Sequence, residues 1–333
     1  MALPDPGRVA VTPLVAEDRE AAAALLAARQ RRVRASRPEL PARFEDPAAF
    51  RPLLDVLLAR DGAHGVLARV AGEPAAFLLG YPRMEKEWAR AAWSPIEGSA
   101  LGDGADPELI RDLYAAWSAH FVRRGFFRQY VHASPHEPDL MAAWVRTGFG
   151  QMQAHAVRDA SMSGGAPTGV TVRRAGPEDI DLVEPLLPLV AQALMRPPAY
   201  AMRYPEDVAT YRDSWAEELH QPGAYHWLAE ERGRALAMAS FYLAEPGPMV
   251  PDGAWELALA MTLPEERGRG LVRALAAAGF AAAREAGAGH VITDWRTASL
   301  PTHRSWTALG FVPTHYRLHR HIDERIAWAA PPG

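Results

Sequence analysis

The sequence predicts an α/β chain made of two tandem domains, each a central mixed, mostly antiparallel sheet flanked by helices. Three observations carry this. The chain has 333 residues, more than one hydrophobic core usually organises. Its hydrophobic and charged fractions, 49% and 23%, are those of a folded chain. It also repeats itself at a fixed spacing.

Trp144 in WVRTGFG stands against Trp306 in WTALGFV, 162 residues on. Gly125 and Gly287 keep the same offset, as do Trp93 and Trp255. Between these anchors LIRDLYAAWSAHFVRRG (109–125) overlies LVRALAAAGFAAAREAG (271–287) without a gap. Near the two beginnings, VTPLVAEDRE and VRRAGPEDID match at an offset of 161. A constant offset with matching helical patterning points to duplication. ASMSGGAPTG (160–169) is small, polar and Gly/Pro-containing, so it is expected to link a domain over 1–159 to one over 170–333.

The elements of the second copy follow in order. GVTVRRA is a short strand, and Pro177 with Glu178 and Asp179 opens a helix, where proline is tolerated in the first turn. AYHWLAEE and RALAMASFYLAE form a strand pair turned at Arg232-Gly233. WELALAMTL alternates, placing Trp255, Leu257, Leu259 and Met261 on one side and Glu256, Ala258, Ala260 and Thr262 on the other. Leu271, Leu275 and Ala282 mark the buried face of the next helix, which ends at Gly287. HVITDW is a strand, 301–309 a short helix and FVPTHYRLHRHI a final strand or hairpin. The order is β-α-β-β-β-α-β-α-β.

Composition removes several function classes. A net charge of −4 gives no basic surface for nucleic acid. The absence of cysteine excludes disulfides, thiolate metal sites and a cysteine nucleophile. MALPDPGRVAVTP has neither a basic leader nor a continuous apolar stretch, and no segment approaches a membrane span. A cytoplasmic chain is expected. The histidines of HYRLHRH (315–321) lack carboxylate or thiolate partners at ligand spacing, so no metal is assigned.

The chemistry-bearing segment is PEERGRGLVRAL (264–275), a glycine-rich turn between a strand and a helix. Free amides of a first helical turn, the helix dipole and close backbone approach at glycine together make an anion site. A Walker A loop needs Gly-Lys-Ser/Thr, which is absent. The dinucleotide fingerprint needs a third glycine where Arg273 stands, and parallel βαβ units that the strand order contradicts. Arg267-Gly268-Arg269-Gly270-Leu271-Val272 resembles the Arg/Gln-x-x-Gly-x-Gly/Ala loop of the GNAT superfamily of acyl-CoA-dependent N-acyltransferases. Val272 departs from that pattern; the downstream W-x-x-L-G-F matches it. At an offset of 162 the four loop residues fall on Ala105, Asp106, Pro107 and Glu108. Both glycines and both arginines are gone and two carboxylates stand where an anion would bind, so the first domain is expected to have lost the loop.

The resemblance implies direct attack of an amine on the thioester of acetyl-CoA, the cosubstrate. The loop residues 267–272 would hold the pyrophosphate, and Ala260, Met261 and Thr262 would offer main-chain groups to the pantetheine arm. Ser299 stands near a common family asparagine. Glu256 is the expected base, on the strand that carries those contacts. The family often places a tyrosine acid four residues before Gly-Phe; here that residue is Trp306. Tyr316 is the nominated substitute, with His303 and His315 as others. Tyr200, Tyr204, Tyr211 and Trp215 are candidates for lining an acceptor pocket. The expected partner is a small-molecule or peptide amine, without nucleic acid or membrane, and a homodimer stays open. A non-catalytic acyl-CoA-binding sensor is the alternative reading.

Overall fold

Residues 9–162 and 164–329 are described in a computed structural model of the chain, and they divide into two units. One comprises Met1–Gln153 with Thr314–Gly333, the other Ala154–Pro313. The division differs from the 160–169 join. The last strand of each repeat packs with the other repeat, and Ala160 and Met162 are buried rather than exposed. Arg284 anchors that stretch by donating to the carbonyls of Ala160 and Met162. The expected absence of a leader in MALPDPGRVAVTP falls largely outside the described residues.

The first repeat runs β1 (Val9–Pro13), α1 (Arg19–Ser36), α2 (Arg51–Leu58), β2 (His64–Val70), β3 (Glu73–Glu85), β4 (Ala89–Trp93), β5 (Ser99–Leu101), α3 (Leu109–Val122), β6 (Arg128–Ala133), α4 (Pro138–Arg146) and β7 (Gly150–Asp159). The second runs β8 (Thr171–Arg174), four short helices α5 (Ile180–Val183), α6 (Leu189–Met195), α7 (Pro205–Ala209) and α8 (Tyr211–Glu218), then β9 (Tyr225–Glu231), β10 (Arg234–Leu243), β11 (Trp255–Thr262), α9 (Leu271–Glu285), β12 (His290–Arg296), α10 (Leu300–Ala308), β13 (Val312–His321) and α11 (Ile326–Ala329). The order of strands and main helices is the one the sequence predicts, with the helix after β8 broken into pieces.

Strands in the first unit lie in the order β1-β2-β3-β4-β6-β13, with β5 on β3; in the second the order is β7-β12-β11-β10-β9-β8. Antiparallel pairs dominate, and β4–β6 and β11–β12 are parallel. Tyr316 to His321 of β13 pair with Ala133 to Arg128 of β6, which binds the end of the chain to the first unit.

Each sheet buries both faces. In the first unit Leu26, Phe50 and Phe77 pack under α1 and α2, and Trp117, Phe121 and Trp144 under α3 and α4. In the second, Val183, Leu186, Leu219, Met238 and Met261 pack under α5–α8, and Phe280 of α9 meets Phe241 of β10 edge-on at 6.1 Å. The helix–sheet contact is filled from opposite sides in the two units. A Cβ on Gly279 of α9 would lie 2.3 Å from the Phe241 ring, whereas a Cβ on Gly80 of β3 would lie 2.7 Å from Trp117 of α3. The bulky ring stands on the strand in one case and on the helix in the other, so total volume is kept. Among the described residues no helix is long and apolar enough to cross a membrane.

Candidate active site

The loop between β11 and α9 is shaped by two glycines. Pro264–Glu266 make one 3-10 turn, and the Glu266 amide bonds the Leu263 carbonyl at 3.0 Å. Gly268 and Gly270 then take φ of +81° and +80°, the left-handed region that side chains disfavour by about 1–2 kcal/mol. Nothing lies within 4 Å of a Cβ built on either, so glycine is needed for backbone shape rather than for room. Gly270 is the N-cap of α9. The first turn of that helix presents amides without an i−4 carbonyl, backed by the positive end of the dipole. Val272, the departure from the motif, is half-buried and leaves the turn intact. The two arginines differ. Arg267 is exposed, whereas Arg269 is held by Glu231 at 2.9 Å and by Glu266.

Beside the loop, β11 opens away from β12. The two pair at Trp255↔Val291 and Glu256↔Ile292, and Thr293 Oγ1 donates to the Leu257 carbonyl at 2.7 Å. On its other edge β11 stays paired with β10 as far as Thr262. The main chain of 258–262, including Ala260, Met261 and Thr262, therefore borders a gap that narrows toward Glu256.

A bulge next to Glu256 corrects the expected alternation. Ser240 pairs with Leu259 and Phe241 with Leu257, so Ala258 is an extra residue. Leu257 shares the α9 face with Phe241, its partner across the pair. Past the bulge, Leu259 and Met261 face α5–α8 instead, where they join that core. Glu256 pairs with Tyr242, whose hydroxyl bonds Glu218 of α8 at 2.8 Å. Glu256 thus lies with Leu259 and Met261 on the α5–α8 face, and not with Ala260 and Thr262. It is half-buried, and burial followed by the nearby charge of Asp294 raises its carboxyl above the usual glutamate value. A carboxylate so shifted is a stronger base.

The remaining candidates are spread out. Ser299 is the N-cap of α10 in the second unit, with its hydroxyl 2.8 Å from Thr302 Oγ1. Trp306 is a core residue, 5.9 Å edge-on from Phe311. His303 is exposed, 6.0 Å from the Trp295 ring. Tyr316 and His315 belong to the first unit, where Tyr316 packs against the α3–α4 core, so one unit does not join them to Glu256. Of the aromatic cluster, Tyr211 and Trp215 pack on the core and Trp215 meets His226 at 5.4 Å, whereas Tyr200 is exposed. Sequence reading missed Glu218, His226 and Tyr242. His226 is buried and bonds Ser240 at 2.8 Å, and burial lowers its pKa. Their signal was the alternation of β9 and β10, which places His226, Ser240 and Tyr242 on one face.

In the first unit the matching features are closed. Asp106 Oδ1 accepts the Glu108 amide at 2.9 Å, so a carboxylate occupies the turn before α3 where the phosphate loop would be. Glu108 pairs with Arg111 at 3.0 Å and with Arg146. The strand breaks after Trp93 into a turn at Ile96–Gly98 before β5. Arg29 of α1, buried, donates to the carbonyls of Ile96 and Ser99, the latter at 2.6 Å. Those residues are the counterparts of Ala258 and Met261. Burial lowers the Arg29 pKa to about 10, which leaves it charged at neutral pH.

Comparison with known proteins agrees with this geometry. Residues 190–311 match the acetyltransferase (GNAT) family. No curated protein matches the chain. Among solved structures, a GCN5-related N-acetyltransferase from Sphaerobacter thermophilus is similar at 18% identity and a TM-score of 0.58, over 96% of this chain and 98% of that one. A tandem GNAT protein from the clavulanic acid biosynthesis pathway is similar at 16% identity and a TM-score of 0.50, over 94% and 98%. With the glycine loop, the opened strands and the doubled sheet in place, the chain has a GNAT fold, and its residues 190–311 match the acetyltransferase (GNAT) family.

Proposed function

We propose that the second unit transfers an acetyl group from acetyl-CoA to the amine of a small molecule or peptide, by direct attack at a single active site. The observation that carries this is one arrangement: a left-handed glycine loop heading α9, a free strand edge beside it, and Glu256 where that edge closes. In this reading the amides of 268–272 and the exposed Arg267 hold the pyrophosphate, while Arg269, fixed by Glu231 and Glu266, braces the loop. The strand edge at 260–262 aligns the acyl arm, which supplies most of the rate through orientation. Glu256 takes a proton from the incoming ammonium. The freed amine attacks the thioester carbon and a C–N bond forms; the nitrogen releases its second proton to water as the adduct collapses and the C–S bond breaks. The thiolate leaves and takes its proton from solvent, so no tyrosine is required. The first unit serves as scaffold.

A sensor that binds acyl-CoA without turnover is the second reading, favoured by the tryptophan at the acid position. Incubation with acetyl-CoA and a panel of amines separates the two. Transfer gives acceptor-dependent thiol release and a matching acetylated product; binding without release on any amine, unaltered by Glu256→Gln, favours the sensor. Absence of coenzyme A binding by calorimetry removes both.

A further inference from the structure

One side chain near Glu256 comes from an unexpected strand. β7, which closes the first repeat, lies beside β12 and brings His155 Nδ1 to 3.8 Å from Asp294 Oδ2. Both residues belong to the second unit. Glu256 pairs in parallel with Ile292, and side chains on one strand alternate, so Asp294 shares the face of Glu256. Tyr242 continues the row on β10. His155, Asp294, Glu256 and Tyr242 thus form one polar line across four adjacent strands. Glu256, His155 and Asp294 are all half-buried, the side chains of His155 and Asp294 being 27% and 36% exposed.

We infer that Asp294 is a positioning residue for Glu256, and that His155, from the strand ending the first repeat, holds Asp294 in place. The inference rests on the transfer reading above, in which Glu256 is the base. Two carboxylates on neighbouring strands cannot both be charged without cost, and burial together with the charge of Asp294 makes Glu256 the one that keeps its proton to higher pH. The charge of Asp294 makes Glu256 a better proton acceptor. Tyr242 from β10 and Asp294 from β12 face Glu256, with His290 and Arg296 on the same side of β12. Glu218 and His226 lie beyond Tyr242. Duplication gives no warning of His155. Its counterpart at the same offset is Arg317, which β13 places beside His132 in the first unit, so the two closing strands have been exchanged and their charges differ.

The test titrates the Glu256 carboxyl directly. Full-length protein carrying carbon-13 glutamate, saturated with coenzyme A, is followed by NMR against pH, with the Glu256 signal assigned by its loss in Glu256→Gln. In Asp294→Asn the midpoint is expected to fall by at least about half a unit, the direction set by removal of a like charge. His155→Gln is expected to shift it measurably while the protein keeps its thermal midpoint within a few degrees. In parallel, the acid limb of kcat/KM for any accepted amine moves down with the NMR midpoint in Asp294→Asn. A Glu256 midpoint unchanged in Asp294→Asn overturns the inference. So does a midpoint that moves without the kinetic limb. Failure of all amines to be acetylated, with the NMR shift intact, overturns the transfer reading instead.

Discussion

In the first unit Asp106 closes the turn before α3 on the Glu108 amide, and the carbonyls of Ile96 and Ser99 are taken by Arg29. In the second, the head of α9 follows two left-handed glycines, and the place of Arg29 falls to Val190 or Ala191, neither of which can donate a hydrogen bond from its side chain. The sheet, helix and core tryptophan of each repeat are shared. What differs is that the first unit covers these main-chain groups with its own side chains, whereas in the second, under the proposed reading, they are left for a ligand. Buried polar groups must be bonded. In the proposed reading, the first unit is the same site filled in by its own side chains.

The comparison can be broken by exchange. Replacing Arg267-Gly268-Arg269-Gly270 with Ala-Asp-Pro-Glu is expected to abolish coenzyme A binding by calorimetry, the largest effect, while the fold persists by circular dichroism. Glu256→Gln comes next. Turnover should fall about 10²–10⁴-fold with binding intact, as for loss of a general base. Its pH behaviour sharpens this. The folded state raises the Glu256 pKa, so the base loses its charge, and kcat/KM declines, at a pH above the ordinary value of about 4.3. For stability, a raised carboxyl pKa means that folding binds an extra proton. The charged form costs stability above that window, so Glu256→Gln should raise the thermal midpoint at pH 7 and leave it unchanged below pH about 4.

Arg29→Ala should destabilise the chain by about 3 kcal/mol in denaturant titrations, because two buried carbonyls lose a charged donor. Coenzyme A binding should not change. Gly270→Ala strains the loop by about 1–2 kcal/mol and should weaken coenzyme A roughly tenfold. Smallest is Asp106→Ala, which removes one side-chain hydrogen bond to a turn amide and should cost about 1 kcal/mol of stability or less without creating a second binding site.

Much of the fold was legible because duplication and glycine leave strong traces. The offset of 162 found both copies, and Gly268 and Gly270 stand out since few other residues accept their φ. The loss of the loop at Asp106 was legible for the same reason. Three features were not. The closing strands β7 and β13 are alike in both repeats, and nothing local in VPTHYRLHRH says which sheet it joins, so Tyr316 was nominated for a site in the other unit. Arg29 reads as one of several arginines on an alanine-rich helix, and only packing shows it buried. The bulge at Ala258 changes the face of Glu256, because one unpaired residue reverses the alternation and alanine does not mark it.

The central claim is that the chain carries this fold twice and the acyl-donor site once. Calorimetric titration of the full-length protein with acetyl-CoA tests it most directly. The account predicts one equivalent bound per chain, unaffected by Asp106→Ala and lost when residues 267–270 are exchanged for Ala-Asp-Pro-Glu. Two equivalents per chain, or one that survives the exchange, would contradict it.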